Sequence, residues 1–168
     1  DVRVSSDHLL GGRPDESSRD QAKDTLKGER SAMPAMAAGI TDKCLEICNK
    51  YAQEREQFGK PIGSFQAVQV RIARLYTIHE TIMNWVHRLA HEERNGGPSV
   101  ATASAAKLYC GQACVDACLE AIQILGGYGY MREGRVEKLM RDAKLFQIGG
   151  GTDDIQMIRI ASELAKRV

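Results

Sequence analysis

Apolar residues recur every three to four positions along most of this chain, which is the spacing of one face of an α-helix. The first such pattern predicts a helix that begins near residues 20–24 and ends near Gln53. Its apolar positions are Ala32, Met36, Ile40, Cys44 and Ile47. Pro34 interrupts this pattern. Because proline removes a helical hydrogen bond, we expect either a kink near Met33 or a helix that starts at Pro34.

The same periodicity predicts four more helices, two of them short. They cover residues 65–94, 100–125, about 135–145 and about 153–166. Segments rich in turn-forming residues separate the helices at 58–64, 95–99, 126–129 and 149–151. Ser64 and Thr152 are the expected N-caps of the helices that follow them, because their hydroxyls can accept from a free backbone N–H.

The N-terminal region has a different character. Residues 1–10 alternate weakly between apolar and polar, which indicates a strand end or an extended arm, whereas residues 12–28 indicate a flexible, charged connection. We therefore assign residues 1–19 to an extended arm and linker and residues 20–168 to a helical-bundle domain. The predicted fold is all-α, an antiparallel four-helix bundle preceded by a short extended arm.

Composition narrows the function classes. The 168 residues are 43% hydrophobic and 27% charged, which is typical of one globular domain. Lys and Arg number 23 against 22 for Asp and Glu, so the net charge of +1 argues against a dominant nucleic-acid surface. No apolar run approaches the ~20 residues that span a bilayer, and the first residues lack a secretory-signal pattern.

The cysteines and histidines do not predict a metal site. Five cysteines lie at i, i+4 spacing, at Cys44, Cys48, Cys110, Cys114 and Cys118. An odd number without a signal pattern is typical of a reducing compartment, and the spacing predicts small buried residues rather than ligands. His87 and His91 share the same spacing, but their charged neighbours favour a solvated helix face.

Two glycine clusters, Gly126–Gly129 and Gly149–Gly151, stand between predicted helices. A glycine-rich turn that leads into a helix can offer bare backbone N–H groups to an anion or a carbonyl. An ordinary tight helix–helix turn is the alternative. Neither cluster is a dinucleotide-binding fingerprint, because that motif requires a preceding strand.

Several longer motifs carry a family resemblance. Glu54–Ile62 (EREQFGKPI), the pair Phe65–Gln66, the glycine-containing segment Gln123–Asp142 and the segment Gly151–Gln156 (GTDDIQ) resemble acyl-CoA dehydrogenases in this order. Asp1–Gly11 is similar to the last strand of that family's β domain. The likeness covers nearly the whole chain, and residues 12–27 match poorly.

The resemblance implies the C-terminal helical domain of a flavoenzyme, about the last two-fifths of a typical member. It implies bound FAD, an acyl-CoA substrate in fatty-acid metabolism, a homotetramer or dimer, and electron-transfer flavoprotein as acceptor. The location would be the cytoplasm or the mitochondrial matrix. The family's preceding helical and β domains have no counterpart here, so we expect a piece of a longer or split polypeptide. The isolated chain should neither hold FAD stably nor turn over.

Residue roles follow from the same resemblance. Those matching flavin contacts are Arg55, Phe58, Gln66, Gln123, Gly127, Thr152 and Asp154. In the family, Arg55 would meet the FAD pyrophosphate of a neighbouring subunit, and Gln123 and Gly127 its adenine end. Thr152 and Asp154 would contact the flavin of the same subunit, with Asp154 in place of the usual Glu or Gln.

The catalytic base is where this sequence departs from many members. They carry a Glu at the position of Gly150, which takes the α-proton of the thioester. Relatives similar to isovaleryl- and long-chain acyl-CoA dehydrogenases place the Glu on the first long helix, just before an Arg. Glu29 and Arg30 fall on that place, so Glu29 is the predicted base and Arg30 a substrate contact.

The glycine turn is the other predicted substrate contact. Gly149, Gly150 and Gly151 are assigned to substrate binding, with the N–H of Gly150 polarising the thioester carbonyl. Gly149 and Gly150 lack side chains that many relatives have, which predicts room for a branched or bulky acyl group. Two alternatives stay open. One is a non-catalytic oligomerisation domain that has lost its base, and the other is an acyl-CoA oxidase relative.

Overall fold

The computed structural model describes residues 2–8 and 16–166, and helices dominate them. The helices are α1 (Glu16–Glu54), α2 (Gln66–Arg94), α3 (Val100–Leu125), α4 (Gly127–Tyr130), α5 (Val136–Leu145) and α6 (Asp153–Ala165). A small antiparallel hairpin of β1 (Glu56–Gln57) and β2 (Lys60–Pro61) follows α1. Short 3₁₀ turns cover Ser6–His8, Ile62–Ser64 and Arg132–Gly134. The all-α prediction is confirmed.

The core is built around α3, which packs against α1, α2, α5 and α6. Its buried face consists mainly of alanine and cysteine, and such small side chains let neighbouring helices approach closely. The thiol of Cys114 lies 3.7 Å from the carbonyl oxygen of Ala37, and that of Cys48 lies 3.9 Å from the carbonyl oxygen of Ala121. Residue numbers rise together in both pairs, so α1 and α3 run parallel.

α2 runs antiparallel to α1 and α3. Thr41 Oγ1 lies 2.9 Å from His79 Nδ1, and Arg71 donates to Glu120 at 2.7 Å. Residue 79 of α2 is therefore level with the middle of α1, whereas residue 71 is level with the last turns of α3. The five-residue connection 95–99 explains this reversal, because a short loop returns the chain beside the helix it has just left.

Among the described helices, α3 is long and apolar enough to cross a membrane by length and composition alone. Much of its surface is buried within the bundle. Burial of its small side chains against α1, α2, α4, α5 and α6 accounts for the apolar composition, so α3 is the core helix of the bundle.

All five cysteines are buried and free, which confirms the interpretation as small core residues. Burial raises the pKa of Cys48 and of Cys110 to about 12, so both stay protonated thiols. Among residues 2–8 and 16–166, no group of three or more His, Cys, Asp or Glu side chains is placed to hold a metal. His87 and His91 are exposed, as predicted.

The first long helix differs from its prediction at its start. α1 begins at Glu16 and continues through Pro34, so a helix that starts at Pro34 is wrong, and so is a flexible connection beyond residue 16. The ring of Pro34 is fully buried, and packing of this kind can outweigh the lost hydrogen bond. Residues 2–5 have no strand pairing, and residues 1 and 9–15 of the predicted arm lie outside the described residues. The division at residues 19 and 20 stays a prediction.

The later boundaries match closely. α2, α3, α5 and α6 have the predicted extents, and Thr152 Oγ1 accepts from the N–H of Ile155 at 3.4 Å, which confirms its capping role. Ser64 is a wrong N-cap: its hydroxyl donates to the carbonyl of Pro61 at 2.8 Å, and Phe65 occupies the cap position. The 3₁₀ turn before α2 takes up the Ser64 hydroxyl and leaves it unable to cap.

Candidate functional site

The glycine turn between α5 and α6 has a backbone that only glycine adopts easily. Gly150 has φ +64° and Gly151 has φ +95°, both in the left-handed region. A Cβ on Gly151 would lie 2.8 Å from Gln156 Nε2. The turn therefore requires glycine for its conformation as well as for space.

Three buried donors from three helices hold two carbonyl groups of this turn. Lys107 Nζ of α3 donates to the carbonyl of Gly151 at 2.7 Å. Gln156 Nε2 of α6 donates to both carbonyls, at 3.2 Å for Gly150 and 2.9 Å for Gly151. Arg30 Nε of α1 donates to the carbonyl of Gly150 at 3.4 Å. Both carbonyls thus point into the bundle.

The inward carbonyls determine where the neighbouring N–H groups point. In a planar trans peptide the N–H is opposite the C=O, so the N–H groups of Gly151 and Thr152 face outward. The described residues provide no acceptor for these two N–H groups or for that of Gly150. The turn therefore presents free donors at the positive end of α6, a suitable arrangement for an anion or a polarised carbonyl.

Charged side chains of both signs lie around the turn. Burial lowers the pKa of Lys107, which has no exposed surface, and Arg30 lowers it further, while Asp153 at 3.4 Å opposes the shift. Burial also lowers the pKa of Arg30, followed by repulsion from Arg159. Asp153 in turn accepts from Gln112 at 3.1 Å. Carboxylates balance these cations, since Asp153 pairs with Lys107 and Glu29 interacts with Arg30, so the outward N–H groups of the turn are what favour an electron-rich group here.

Met33 of α1 borders the same turn. Its methyl carbon lies 3.0 Å from the point that a Cβ on Gly150 would occupy and 3.6 Å from the corresponding point of Gly149. Glu29 stands one helical turn before Met33 and shares its face of α1. The side chain of Glu29 is exposed within this chain. The predicted base thus stands on the helix face that meets the glycine turn.

The structure brings one group of predicted site residues together at this end of the bundle. Thr152 and Asp154 are exposed in the first turn of α6, directly after the glycines. The acidic first turn complements the helix dipole. The group at this end, here called the glycine-turn end, comprises Glu29, Arg30, Gly149, Gly150, Gly151, Thr152 and Asp154.

A second group lies where α1 and α3 end, here called the hairpin end. A groove of about 660 Å³ is lined by Arg55, Gln57, Gly126, Gly127 and neighbouring residues. The rings of Tyr51 and Tyr128 stack beside it, with centroids 5.8 Å apart and planes inclined by 7°. Two predicted cofactor residues, Arg55 and Gly127, therefore share one groove. Gln123 is exposed in the last turn of α3.

Phe58 occupies the tip of the hairpin and is 92% exposed. Its φ of +55° is in the left-handed region, which costs a non-glycine residue about 1–2 kcal/mol. Its ring meets that of Phe65 edge to face at 6.0 Å, and Gln66 follows as the first residue of α2. An exposed aromatic ring on strained backbone indicates a contact with something outside the chain.

The two ends are far apart. Lys107, which holds the glycine turn, and Leu125, which lines the groove, are 18 positions apart in α3, a distance of about 27 Å along the helix. The structure therefore does not unite all predicted site residues in a single pocket of this chain.

Comparison with known proteins identifies the family of this chain. A family model for the C-terminal domain of acyl-CoA dehydrogenases matches residues 19–165. The chain belongs to the acyl-CoA dehydrogenase family. It is 42% identical to a probable acyl-CoA dehydrogenase, YngJ, of Bacillus subtilis over 99% of this chain and 43% of the relative.

Other relatives extend the likeness across this family. A mitochondrial isovaleryl-CoA dehydrogenase of Oryza sativa is 38% identical over 82% of the chain and 34% of the relative. The CarC subunit of a caffeyl-CoA reductase-Etf complex from Acetobacterium woodii is 36% identical over 99% of the chain and 44% of the relative. The crystal structure of a probable acyl-CoA dehydrogenase from Mycobacterium abscessus superposes with a TM-score of 0.89, at 31% identity, over 98% of this chain and 43% of that one. The chain thus spans less than half the length of these relatives.

Sequence reasoning missed three residues that build the glycine-turn end of this family member. They are Met33, Lys107 and Gln156. A signal existed for Lys107, because it falls at helical spacing from the buried Ala103 and Cys110 on an otherwise small and apolar face. A lysine at a core position must find partners, and those partners are the turn and Asp153.

Proposed function

We propose that the protein containing this chain catalyses the α,β-dehydrogenation of an acyl-CoA thioester with FAD. This chain would supply its C-terminal helical domain. Family membership and the outward N–H groups of the glycine turn support the proposal. Because the chain spans less than half of its relatives, the rest of the site would come from residues outside it.

The residues present suit FAD at both ends of the bundle. The guanidinium of Arg55, exposed in a groove that contains Gly127, can pair a phosphate through two fixed donors. The unpaired N–H of Thr152 and the side chain of Asp154 offer donor and acceptor groups at the other end. When bound, FAD would accept the β-hydrogen of the substrate as a hydride.

The separation of the two ends supports a homo-oligomer. Groups about 27 Å apart along α3 would serve different flavins, one in the same subunit at the glycine turn and one in a neighbour at the hairpin. The exposed ring of Phe58 fits such an intersubunit role. A homotetramer or dimer is the proposed assembly.

Glu29 is the proposed base, and one observation carries this assignment. The methyl group of Met33 borders the space in which a side chain of residue 150 would start, and Glu29 lies one turn away on the same helix face. A carboxylate there would take the α-proton while the N–H of Gly150 donates to the thioester oxygen. Arg30, whose Nε holds the Gly150 carbonyl, would fix the turn against α1.

Replacing Glu29 tests the function directly. In the flavin-loaded protein, Glu29→Gln should slow anaerobic bleaching of the flavin by acyl-CoA about 1,000-fold, the contribution of a general base, while FAD stays bound. Glu46→Gln is a matched control, since Glu46 is also an exposed glutamate on α1. Equal bleaching rates in Glu29→Gln and the parent would contradict the assignment, and an inert parent protein would favour the non-catalytic oligomerisation domain.

Electron-transfer flavoprotein is the proposed acceptor. One relative is named as a subunit of a reductase-Etf complex, which supports this choice. Peroxide release at the rate of turnover would instead identify an acyl-CoA oxidase. The proposed location is the cytoplasm or the mitochondrial matrix. That the isolated chain neither holds FAD stably nor turns over stays a prediction.

A further inference from the structure

Lys107 is a fully buried lysine in the core of the bundle. Its side chain has no exposed surface and stands on a helix face made of alanine and cysteine. Taking an ammonium group out of water is costly unless hydrogen bonds replace its hydration. Two partners do so here: the carbonyl of Gly151 at 2.7 Å and a carboxylate oxygen of Asp153 at 3.4 Å.

Backbone hydrogen bonds bracket the glycine turn, from Gly149 to Leu145 and from Asp153 to Gln147, but none among the described residues holds the carbonyls of Gly150 and Gly151. Glycine adopts left-handed and right-handed backbone about equally well, so the peptide units after Gly150 and Gly151 can rotate at low cost. A rotated unit would direct its N–H into the bundle and its carbonyl outward. An outward carbonyl would repel the anion or the thioester oxygen that the turn is suited to receive.

External anchors must therefore select the observed orientation. Gln156 reaches both carbonyls and Arg30 reaches that of Gly150, both at longer distances than the Lys107 contact. Gln156 is itself incompletely satisfied, because its buried Oε1 finds no hydrogen-bond partner in the part of the chain that the structure describes. Lys107 is the anchor with the shortest bond, and Asp153, held by Gln112, keeps its ammonium group beside the turn.

We propose that Lys107 is a positioning residue of the dehydrogenase site. It holds the Gly151 carbonyl inward, so the N–H of Thr152 faces outward, and by fixing the turn it steadies the donors of Gly150 and Gly151. It touches neither substrate nor FAD. The inference rests on the proposed function, and its test has readouts that stand without that function.

The test compares two variants. Lys107→Met keeps a side chain of similar length but removes the N–H donor, whereas Lys107→Arg keeps a positive charge. In the flavin-loaded protein, Lys107→Met should lower kcat about 100-fold with a much smaller change in KM, because misplaced donors fail in the transition state. Lys107→Arg should recover part of that loss. In titrations of the apoprotein, the affinity of Lys107→Met for FAD should fall about tenfold, the loss expected for one or two hydrogen bonds.

A matched control separates positioning from packing. Cys118→Ala removes a buried group from α3 far from the turn, and it should lower the melting temperature with kcat and FAD affinity unchanged. If Lys107→Met does not fold, Gln156→Glu is the second variant. It has nearly the same shape but replaces the shared donor to both carbonyls, and it should reproduce the loss of kcat and FAD affinity.

The outcomes are distinct. Parent-like kcat and FAD affinity in Lys107→Met, or in Gln156→Glu where that variant decides, would overturn the proposal. If Cys118→Ala, at a similar melting temperature, loses as much kcat and FAD affinity as Lys107→Met, the loss comes from packing and the proposal is overturned. If the parent protein oxidises no acyl-CoA, the proposed function fails, and the FAD titrations alone decide the role of Lys107.

Discussion

The two ends of this bundle are built in opposite ways. At the glycine-turn end, buried side chains from α1, α3 and α6 fix a backbone that lacks side chains of its own. At the hairpin end, exposed side chains such as Arg55 and the 92% exposed Phe58 project from short elements with little packing around them. The first geometry is completed by the chain itself. The second becomes useful only when something else covers it.

This contrast separates what each end contributes to folding from what it contributes to binding. Changes at the glycine-turn end should affect stability and chemistry together, because the same hydrogen bonds support both. Changes at the hairpin end should affect binding and assembly while the bundle stays stable. Matched substitutions at the two ends test whether effects on stability and effects on binding separate in this way.

Adding a methyl group to one glycine at each end should produce the largest difference. Gly151→Ala forces a left-handed backbone on alanine and displaces Gln156 Nε2, which lies 2.8 Å from the new Cβ. We expect a loss of about 3 kcal/mol in the free energy of unfolding. Gly127→Ala meets nothing within 4 Å and stands in a helix, so its effect should stay within about 0.5 kcal/mol.

Urea unfolding of the two purified variants measures this difference. Gly96→Ala is the matched control for backbone strain alone, since Gly96 has φ +105° but an open surrounding. It should lie between the two, with a loss of about 1–2 kcal/mol. Equal stabilities for Gly151→Ala and Gly96→Ala would show that the contacts of Gln156 do not hold the turn.

A charge removed at the hairpin end should change binding without changing stability. Arg55→Ala removes an exposed side chain that has no ion-pair partner among the described residues, so the free energy of unfolding should change by less than about 0.5 kcal/mol. In the assembled protein its affinity for FAD should fall about tenfold or more, because a charge-assisted pair to phosphate is lost.

Flavin titration of the apoprotein checks this result. Arg55→Lys should recover only part of the affinity, since an ammonium group cannot form the two-pronged contact. Unchanged FAD binding in Arg55→Ala would remove the hairpin end from the cofactor site and leave its groove without the proposed ligand.

The sequence predicted the bounds of most helices better than it predicted the start of α1. The spacing of apolar residues predicted α2, α3, α5 and α6 closely, because each shows apolar residues at helical spacing and a turn or cap at its boundary. It failed at Pro34, where burial of the ring prevails over the local cost of proline in a helix. A pattern of local preferences does not contain that tertiary contact.

The candidate site divides in the same way. Motif resemblance named Arg55, Phe58 and the glycines, since these stand in contiguous segments. It missed Met33 and Lys107, because their role depends on contacts of α1 and α3 with the turn that no short motif records. Gln156 stands in the GTDDIQ segment, but the motif does not show that its side chain holds the turn. Gly150 and Met33 show the limit well. The missing side chains of Gly149 and Gly150 predict open space in the pocket. In the structure the side chain of Met33, which is more than 100 residues away in the sequence, borders that space.

A smaller effect should come from relieving the strain at the hairpin tip. Phe58→Gly places glycine in the left-handed backbone that φ +55° imposes, which removes strain but makes the unfolded chain more flexible. Loss of the edge-to-face contact with Phe65 offsets part of the relieved strain, so the free energy of unfolding of the monomer should change by less than about 0.5 kcal/mol. The same change should weaken subunit assembly and FAD retention, measured by sedimentation and by the flavin-to-protein ratio. Phe58→Leu, which keeps an apolar group and the strain but loses the aromatic contact, serves as the control and should be less stable than Phe58→Gly. A Phe58→Gly protein with parent-like assembly and flavin content would mean that the strained aromatic residue has no binding role, and the contrast between the two ends would then rest on Arg55 alone.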